Sequence, residues 1–535
     1  MPKVLISDKM SPRAAEIFRA RGIEVHEKTG LSKDDLAAII GDYDGLAIRS
    51  STKATAALLA AATNLKVIGR AGIGVDNVDV PAATARGIVV MNTPFGNSIT
   101  TAEHAVALMF ALARQLPEAD ASTQAGKWEK NRFMGVELTS KILGLIGCGN
   151  IGSIVADRAL GLKMKVIAFD PFLTPERATD LGVEKVTLDD LLARADFITL
   201  HTPLTDSTKN ILSADNLAKT RKGVRIINCA RGGLIDETAL KAGLDSGHIG
   251  GAALDVFVEE PATTSPLFNT PNFISTPHLG ASTDEAQVNV AIQVAEQMAD
   301  FLLTGGVTNA LNMPSLSAED APKLKPYMAL AEHLGRLIGQ LESEELRGVK
   351  VEVEGAAAQL NIKPITGAVL AGLMRTFSDT VNMVNAPTMA RDRNIEVAEV
   401  RHERDTDYQT LVRVSVRTAS SGTGADKIER ERSVAGTLFG HTIPRLVEIF
   451  GIKVEADFAP RMLFIVNEDK PGFIGRLGTT LGEASVNIGT FHLGRRGALE
   501  EAILLLSVDQ PIPDPLLWQI CRLPGVKTVK ALNFE

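Results

Sequence analysis

Residues 141–153, KILGLIGCGNIGS, join an apolar run to three glycines, Gly147, Gly149 and Gly152, spaced G-x-G-x-x-G. A chain with 46 glycines produces such a pattern by chance, so its context decides. The apolar run predicts a strand, NIGSIVADRALGL (150–162) a helix, and KVIAFD (165–170) a second strand ending on Asp170. Strand, glycine turn, helix, strand and acid together form the arrangement that holds a dinucleotide. Gly147 permits the turn, Gly149 lets the backbone approach a pyrophosphate, and Gly152 lets the helix pack on the strand. The free N–H groups and positive end of the helix favour phosphate. Asp170 is suited to accept from both ribose hydroxyls and to repel a 2′-phosphate, which favours NAD over NADP; an ordinary strand-end cap is the plainer alternative.

The loop comes late. Before it, KVLISD (3–8), EVHEK, GLAIRS (45–50) and KVIGRAG (66–72) read as strands. Helices are predicted between them: one capped by Ser11 with Pro12 at its first position and stopped by Gly22, then others near 33–41 and 54–62. This repeated βα pattern predicts a parallel sheet with helices on its faces. TTAEHAVALMFALARQL (100–116) is apolar nearly all round and predicts a buried helix. After the loop, FITLHTPL (197–204), RIINCARGG (225–233), GGAALDVF (250–257) and NFISTPHLG (272–280) read as further strands, and Thr283–Leu303 as a helix. That last helix is expected to return to the first domain, because a chain inserted in mid-domain exits where it entered. A substrate cleft then lies between the two units.

At 535 residues and about 100–200 per domain, three or four domains are expected. The net charge of −8 and the absence of a long basic block argue against nucleic acid or an anionic membrane as partner. The longest apolar run, AVALMFALA (105–113), is too short to span a bilayer, and MPKVLISD reads as a strand and not as a secretory signal. Cys148, Cys229 and Cys521 form neither a metal spacing nor a disulfide framework, so no metal and a cytoplasmic location are expected. NMPSLSAEDAPKLKP (312–326) reads as a linker, and SSGTGADK (420–427) as a turn or flexible loop. From MLFIVNE onward the chain spells βαββαβ.

The residues able to do chemistry stand at predicted strand ends. Arg231, in NCARGGLIDE, either clamps a carboxylate or bonds loop carbonyls. His278, in TPHLG, is the natural base for a substrate hydroxyl, or else a surface residue. Glu259 and Glu260 precede Pro261; either one on the second ring nitrogen would fix the tautomer and favour the imidazolium, and a solvated acidic turn is the alternative. Cys229 reads as a small buried apolar residue.

The ordered set GLIGCGNIG…FD, LHTPLTDST, NCARGGLIDE, ALDVFVEEP and TPHLGAST resembles the D-isomer-specific 2-hydroxyacid dehydrogenases over roughly residues 1–315. The resemblance implies a catalytic triad of Arg231, Glu260 and His278, with Glu260 and not Glu259 at the family position. It implies NAD held by Gly147, Gly149, Asn150, Ile151, Gly152 and Asp170, and further along by Thr202, Cys229, Ala230, Asp255 and Gly280. NEDKPGFIGRLGTTLGEASVNI (467–488) is similar to an ACT domain, a small-molecule-sensing βαββαβ module, and 318–455 resembles the intervening domain of long family members. The resemblance to members with such a tail implies oxidation of 3-phospho-D-glycerate, the first step of serine synthesis. RSST (49–52), RAGIGVDNVD (70–79) and NTPFGNSITTAEH (92–104) agree. The phosphate would then meet Arg49, Ser50 and Arg70, the amides of Ala71 and Gly72, and Asn97. Lys130 or Arg132 would complete a neighbouring subunit's site.

The implied architecture is α/β: a Rossmann-type nucleotide domain (99–284) inserted in a flavodoxin-like, doubly wound substrate domain (1–98 plus 285–317). An α+β intervening domain (318–455) and an ACT domain (456–535) follow. Asp469 and Asn487 would hold an effector, L-serine, across an interface in a homotetramer. The rival readings are a broader hydroxypyruvate or glyoxylate reductase and a non-catalytic NAD-sensing regulator.

Overall fold

A computed structural model describes residues 1–342, 344–402, 408–419, 429–497 and 501–535. The 420–427 segment read as a turn lies outside the described residues. Four sheets carry the chain. The first is parallel, in the order Glu24–Glu27, Lys3–Ile6, Gly45–Ile48, Val67–Arg70, Val89–Met91. The second is parallel and seven-stranded: Phe273–Ser275, Ile249–Leu254, Val224–Asn228, Phe197–Leu200, Ile142–Ile146, Lys165–Phe169, Glu184–Lys185. In both, sequential strands run outward from a central pair, the double winding that leaves a crevice at the strands' carboxyl ends.

The helix Asp284–Thr304 does return to the first sheet. Thr283 caps it by accepting from the Ala286 amide, and Gly305 at φ 79° ends it. Val290, Val294 and Met298 along it are buried in one core with Val4, Val67 and Phe18. Close packing here explains a glycine inside a strand: a Cβ at Gly69 would lie 2.2 Å from the Met298 sulfur.

Three local expectations need correction. The first helix starts one residue late, at Arg13, because Pro12 takes the cap position and Ser11 offers only a 3.4 Å contact to the Arg13 amide. The helix Ser98–Arg114 is buried on one side only; Ile99 and Phe110 face out. The supposed linker is structured: Asn312 bonds Val90 N and Ile88 O of the first sheet, and the helix Ala321–Leu341 begins inside it. Proline in a first turn removes no helical hydrogen bond, so Pro322 does not prevent that start.

The helix Ala321–Leu341 packs on a six-stranded mixed sheet and on the helix Lys363–Met374. A four-stranded antiparallel sheet closes the chain in the order Ile488–Arg495, Glu501–Val508, Arg461–Glu468, Val526–Asn533. Helices Phe473–Glu483 and Asp514–Cys521 complete the βαββαβ order.

Candidate functional site

Each of the three glycines meets a distinct constraint. Gly147 has φ 93°, and a Cβ there would sit 2.6 Å from the His201 carbonyl oxygen. A Cβ on Gly152 would come within 2.2 Å of the Gly147 oxygen, so only glycine lets the helix Asn150–Gly161 leave the strand this tightly. Gly149 has open space where its Cβ would be. It caps the helix without a side-chain hydrogen bond, so the first-turn amides around Asn150 and Ile151 face an open approach. Asp170 accepts from the Cys148 amide and the Phe172 amide, both at 2.8 Å, which fixes its carboxylate beside the glycine turn. These features fit a dinucleotide with a free 2′-hydroxyl.

His278 and Glu260 meet: His278 Nδ1 and Glu260 Oε2 are 2.7 Å apart, and Glu260 Oε1 accepts from the Phe257 amide. The Glu260 hydrogen bond raises the His278 pKa above its ordinary value, burial opposing it. Burial works against ionisation of Glu260, but the bonds from His278 and Phe257 hold it below the usual carboxylate range. His278 has φ 55° in a loop organised by Asp255. The Asp255 carboxylate accepts from Thr276 Oγ1 (2.6 Å), Leu279 N (2.7 Å) and Gly280 N (2.8 Å), and its backbone oxygen accepts from the His278 amide.

Arg231 reaches across the cleft. Its Nε donates to Asp76 (3.0 Å) and its Nη1 to the Ala230 carbonyl (2.7 Å). Nη2 lies against Gly74, where a Cβ would be 1.6 Å away. The carbonyl-bonding reading is thus realised at Nη1. Asn228 fixes the turn by donating to the Arg231 oxygen and accepting from the Ala230 amide.

Arg49 and Arg70 join this cleft. Burial pushes Arg70 down to about 10, with repulsion from Arg231 and Arg49 adding to it. Burial also lowers Arg49, against the pull of Asp8. Among the described residues neither buried Nε atom has a hydrogen-bond partner, nor has Asn97 Oδ1. Two guanidiniums with unmet Nε donors thus stand near Arg231, an arrangement able to meet an anion. The Ala71 amide is no part of it, because it is committed to the Ile48 carbonyl (2.8 Å), extending the sheet. Gly72, at φ 144°, leaves room for Arg70: a Cβ there would lie 1.6 Å from Nη1. Ser50 is exposed next to Arg49. Arg132 pairs instead with Glu129 and lies over Phe133, outside this cluster.

Thr202 follows His201, which burial pushes down to about 4. Burial drives the Cys229 thiol upward, which keeps it neutral, as packing requires. His104, Cys229 and Asp255 bring one potential ligand atom each within 4.8 Å of one another. A neutral thiol and a carboxylate already holding a hydroxyl and two amides make this a hydrogen-bonded cluster.

Asp469 and Asn487 are not brought together. Asp469 pairs with Arg495, and Asn487 donates to Asp509. Strand register puts them at opposite ends of the last sheet: Glu468 pairs with Glu501, whereas Ile488 pairs with Val508.

Four residues escaped the sequence reading: Asp76, His104, Thr276 and Asp8. Asp76 and His104 stand inside RAGIGVDNVD and TTAEH, but nothing in either segment marks their partners. Asp8 holds the Arg49 loop by accepting from the Arg49 and Thr52 amides.

Residues 106–280 match the model of the D-isomer specific 2-hydroxyacid dehydrogenase NAD binding domain, and residues 323–450 that of the D-3-phosphoglycerate dehydrogenase intervening domain. The D-3-phosphoglycerate dehydrogenase of Synechocystis sp. is 44% identical over 98% of this chain and 94% of its own length. That of Bacillus subtilis is 41% identical over the full length of both chains. Among solved structures, a glyoxylate reductase from Paecilomyes thermophila matches with a TM-score of 0.54 at 30% identity, over 58% of this chain and 98% of its own.

Proposed function

We infer that this chain, which belongs to the D-3-phosphoglycerate dehydrogenases of the D-isomer-specific 2-hydroxyacid dehydrogenase family, uses Arg231, Glu260 and His278 to oxidise 3-phospho-D-glycerate to 3-phosphohydroxypyruvate with NAD. The observation that carries the site assignment is the His278–Glu260 pair beside Arg231 and two further arginines, Arg49 and Arg70, whose buried Nε donors are unmet. NAD, held along Gly147–Gly152 and by Asp170, supplies the acceptor for the C2 hydride. Glu260 occupies Nδ1 of His278, so Nε2 takes the C2 hydroxyl proton, and the carboxylate stabilises the imidazolium that results. Arg231 Nη2 binds the substrate carboxylate and polarises the forming carbonyl, while Asp76 and Ala230 O hold the guanidinium in place. Arg49, Arg70 and the Gly72 amide receive the phosphate. The reductase alternative has no use for that phosphate cradle or for the residues beyond 315.

The four sheets correspond to domains at 1–98 with 285–317, 99–284, 318–455 and 456–535, the last acting as an ACT sensor. Its register is compatible with a shared effector site: Asp469 and Asn487 stand at opposite ends of one sheet, so two copies joined about a two-fold axis along the edge strand Ile488–Arg495 would bring one of each together. L-Serine, with an ammonium and a carboxylate, suits such a pair. Phe110, Leu116, Trp128 and Met134 are exposed, Trp128 at 87%, which supports a homo-oligomer, a tetramer in our reading, with the Lys130–Arg132 loop crossing to a neighbour. Among the described residues no helix is long and apolar enough to cross a membrane, and free thiols suit the cytoplasm.

The test is NADH formation from 3-phospho-D-glycerate, D-glycerate and D-lactate, with and without L-serine. Turnover far faster with the phosphorylated acid than with the other two, and lost in Arg231→Ala, supports the reading; equal rates on all three acids refute the phosphate cradle.

A further inference from the structure

A second cavity, of about 400 Å³, lies away from the catalytic cleft, between the helices Lys363–Met374 and Ala386–Asp392 and the outer strand Glu396–His402. Its walls are mainly apolar: Met313, Leu370, Met383, Ile395 and Val397 line it. Cavities of this size hold small organic molecules and not single ions. Lys363 and Arg391 border the same space, and neither side chain has a hydrogen bond or ion pair among the described residues. Among the described residues that line it Glu399 is the one acid, so the cations exceed it.

Gly367 keeps the cavity open. It sits in a helix whose residues from Pro364 to Met374 are all buried, yet the nearest atom to a Cβ there is the Met383 methyl, at 3.5 Å. A longer side chain at 367 would project into the empty space. The wall residues Met313 and Pro314 directly follow Asn312, which bonds Val90 and Ile88 of the substrate-side sheet. An occupant therefore touches the segment that joins that sheet to the helix Ala321–Leu341.

We propose that this cavity is a binding site for a small carboxylate with an apolar body, the chain lying on Met313, Leu370, Met383 and Ile395 and the carboxylate meeting Lys363 and Arg391. Inorganic phosphate has nothing to place against the apolar wall, and a neutral amphiphile leaves both cations unmatched. The mixed lining therefore selects the amphiphilic anion.

The experiment is calorimetric titration of the full chain with octanoate, 1-octanol and inorganic phosphate, with saturating NADH and 3-phospho-D-glycerate, a pair that cannot react together, filling the catalytic cleft. Octanoate is expected to bind, with 1-octanol and phosphate at least about tenfold weaker. Arg391→Ala and Lys363→Ala should each weaken octanoate by about tenfold, the scale of one charge-assisted contact. Gly367→Leu should abolish binding while turnover of 3-phospho-D-glycerate is retained. Absence of octanoate binding, binding indifferent to Arg391→Ala, or phosphate binding as tightly as octanoate overturns the proposal. Should Gly367→Leu not fold, the exposed Arg391→Ala decides alone.

Discussion

In the proposed mechanism His278 takes up and returns a proton, and its contact with Glu260 fixes which ring nitrogen does so. Glu260 raises its pKa, so at a given pH more of the imidazole is protonated than in an isolated histidine. Oxidation needs the neutral ring; kcat/KM for oxidation therefore falls as pH drops through the raised value, and the reverse reduction falls as pH rises through it. Glu260→Gln removes the cause of the rise, so both limbs should move to lower pH, with a lower plateau. Profiles measured in both directions check this, and limbs that stay in place would separate Glu260 from the proton transfer. His278→Ala should cost about 100- to 10,000-fold in kcat. The arginines act on a different quantity. Arg70→Gln should lower kcat/KM for 3-phospho-D-glycerate by about 10- to 100-fold while leaving the slow rate with D-glycerate unchanged, because it deletes only the proposed contact with phosphate. Equal loss on both acids would make Arg70 a structural support of the cleft. Residues of this kind were legible where a segment carries its own chemistry, as NCARGG and TPHLG do. Their supports were not: Asp76 and Arg231 are 155 positions apart, and only closure of the two sheets makes them a pair. The Ala71 amide shows the converse. Its neighbours suggest an anion donor, but the parallel ladder with Ile48 takes it.

At the scale of elements, the glycine turn separates packing from binding. Gly152 has no room for a methyl group against the Gly147 oxygen, whereas Gly149 has. Gly152→Ala should therefore lower thermal stability and weaken NAD together. Gly149→Ala, at φ −75°, should leave the melting temperature unchanged and raise the KM for NAD by about tenfold, because its methyl group enters the pyrophosphate approach and nothing else. Melting curves and NAD titrations on the two variants distinguish these outcomes; a stability loss in Gly149→Ala would mean that the loop is packed and not open. Alternating strand and helix was readable through both parallel sheets because each element carries its own apolar run and turn residues. The segment 312–326 was not readable, since prolines and polar residues mark a linker only if nothing packs on them. Here Leu324, Leu330, Ala331 and Leu334 bury a helical stripe, and Asn312 satisfies backbone groups of a distant sheet.

Across the whole molecule, the cores do not follow the four sheets. One continuous core runs from Val4 and Val67 in the first sheet, through Val294 and Leu334, to Phe464, Leu532 and Phe534 in the last. The seven-stranded sheet has separate cores on its two faces. The tail is keyed into the larger core: Phe534 packs edge-on to His333 and Phe458, and Lys530 donates to the Gln340 and Leu341 carbonyls at the end of the helix Ala321–Leu341. Such a chain should unfold in two cooperative steps, one for the nucleotide-binding sheet and one for everything sharing the larger core. NADH at about a hundredfold over its Kd should stabilise the first step by about 2.7 kcal/mol and leave the second in place. Phe534→Ala should do the reverse, removing about 3 kcal/mol from the second step alone. Scanning calorimetry of both proteins, with and without NADH, reads all four combinations. If NADH and Phe534→Ala move the same transition, cooperativity crosses the cleft, and the contacts between Arg231 and Asp76 then bind the two units more tightly than their separate cores imply.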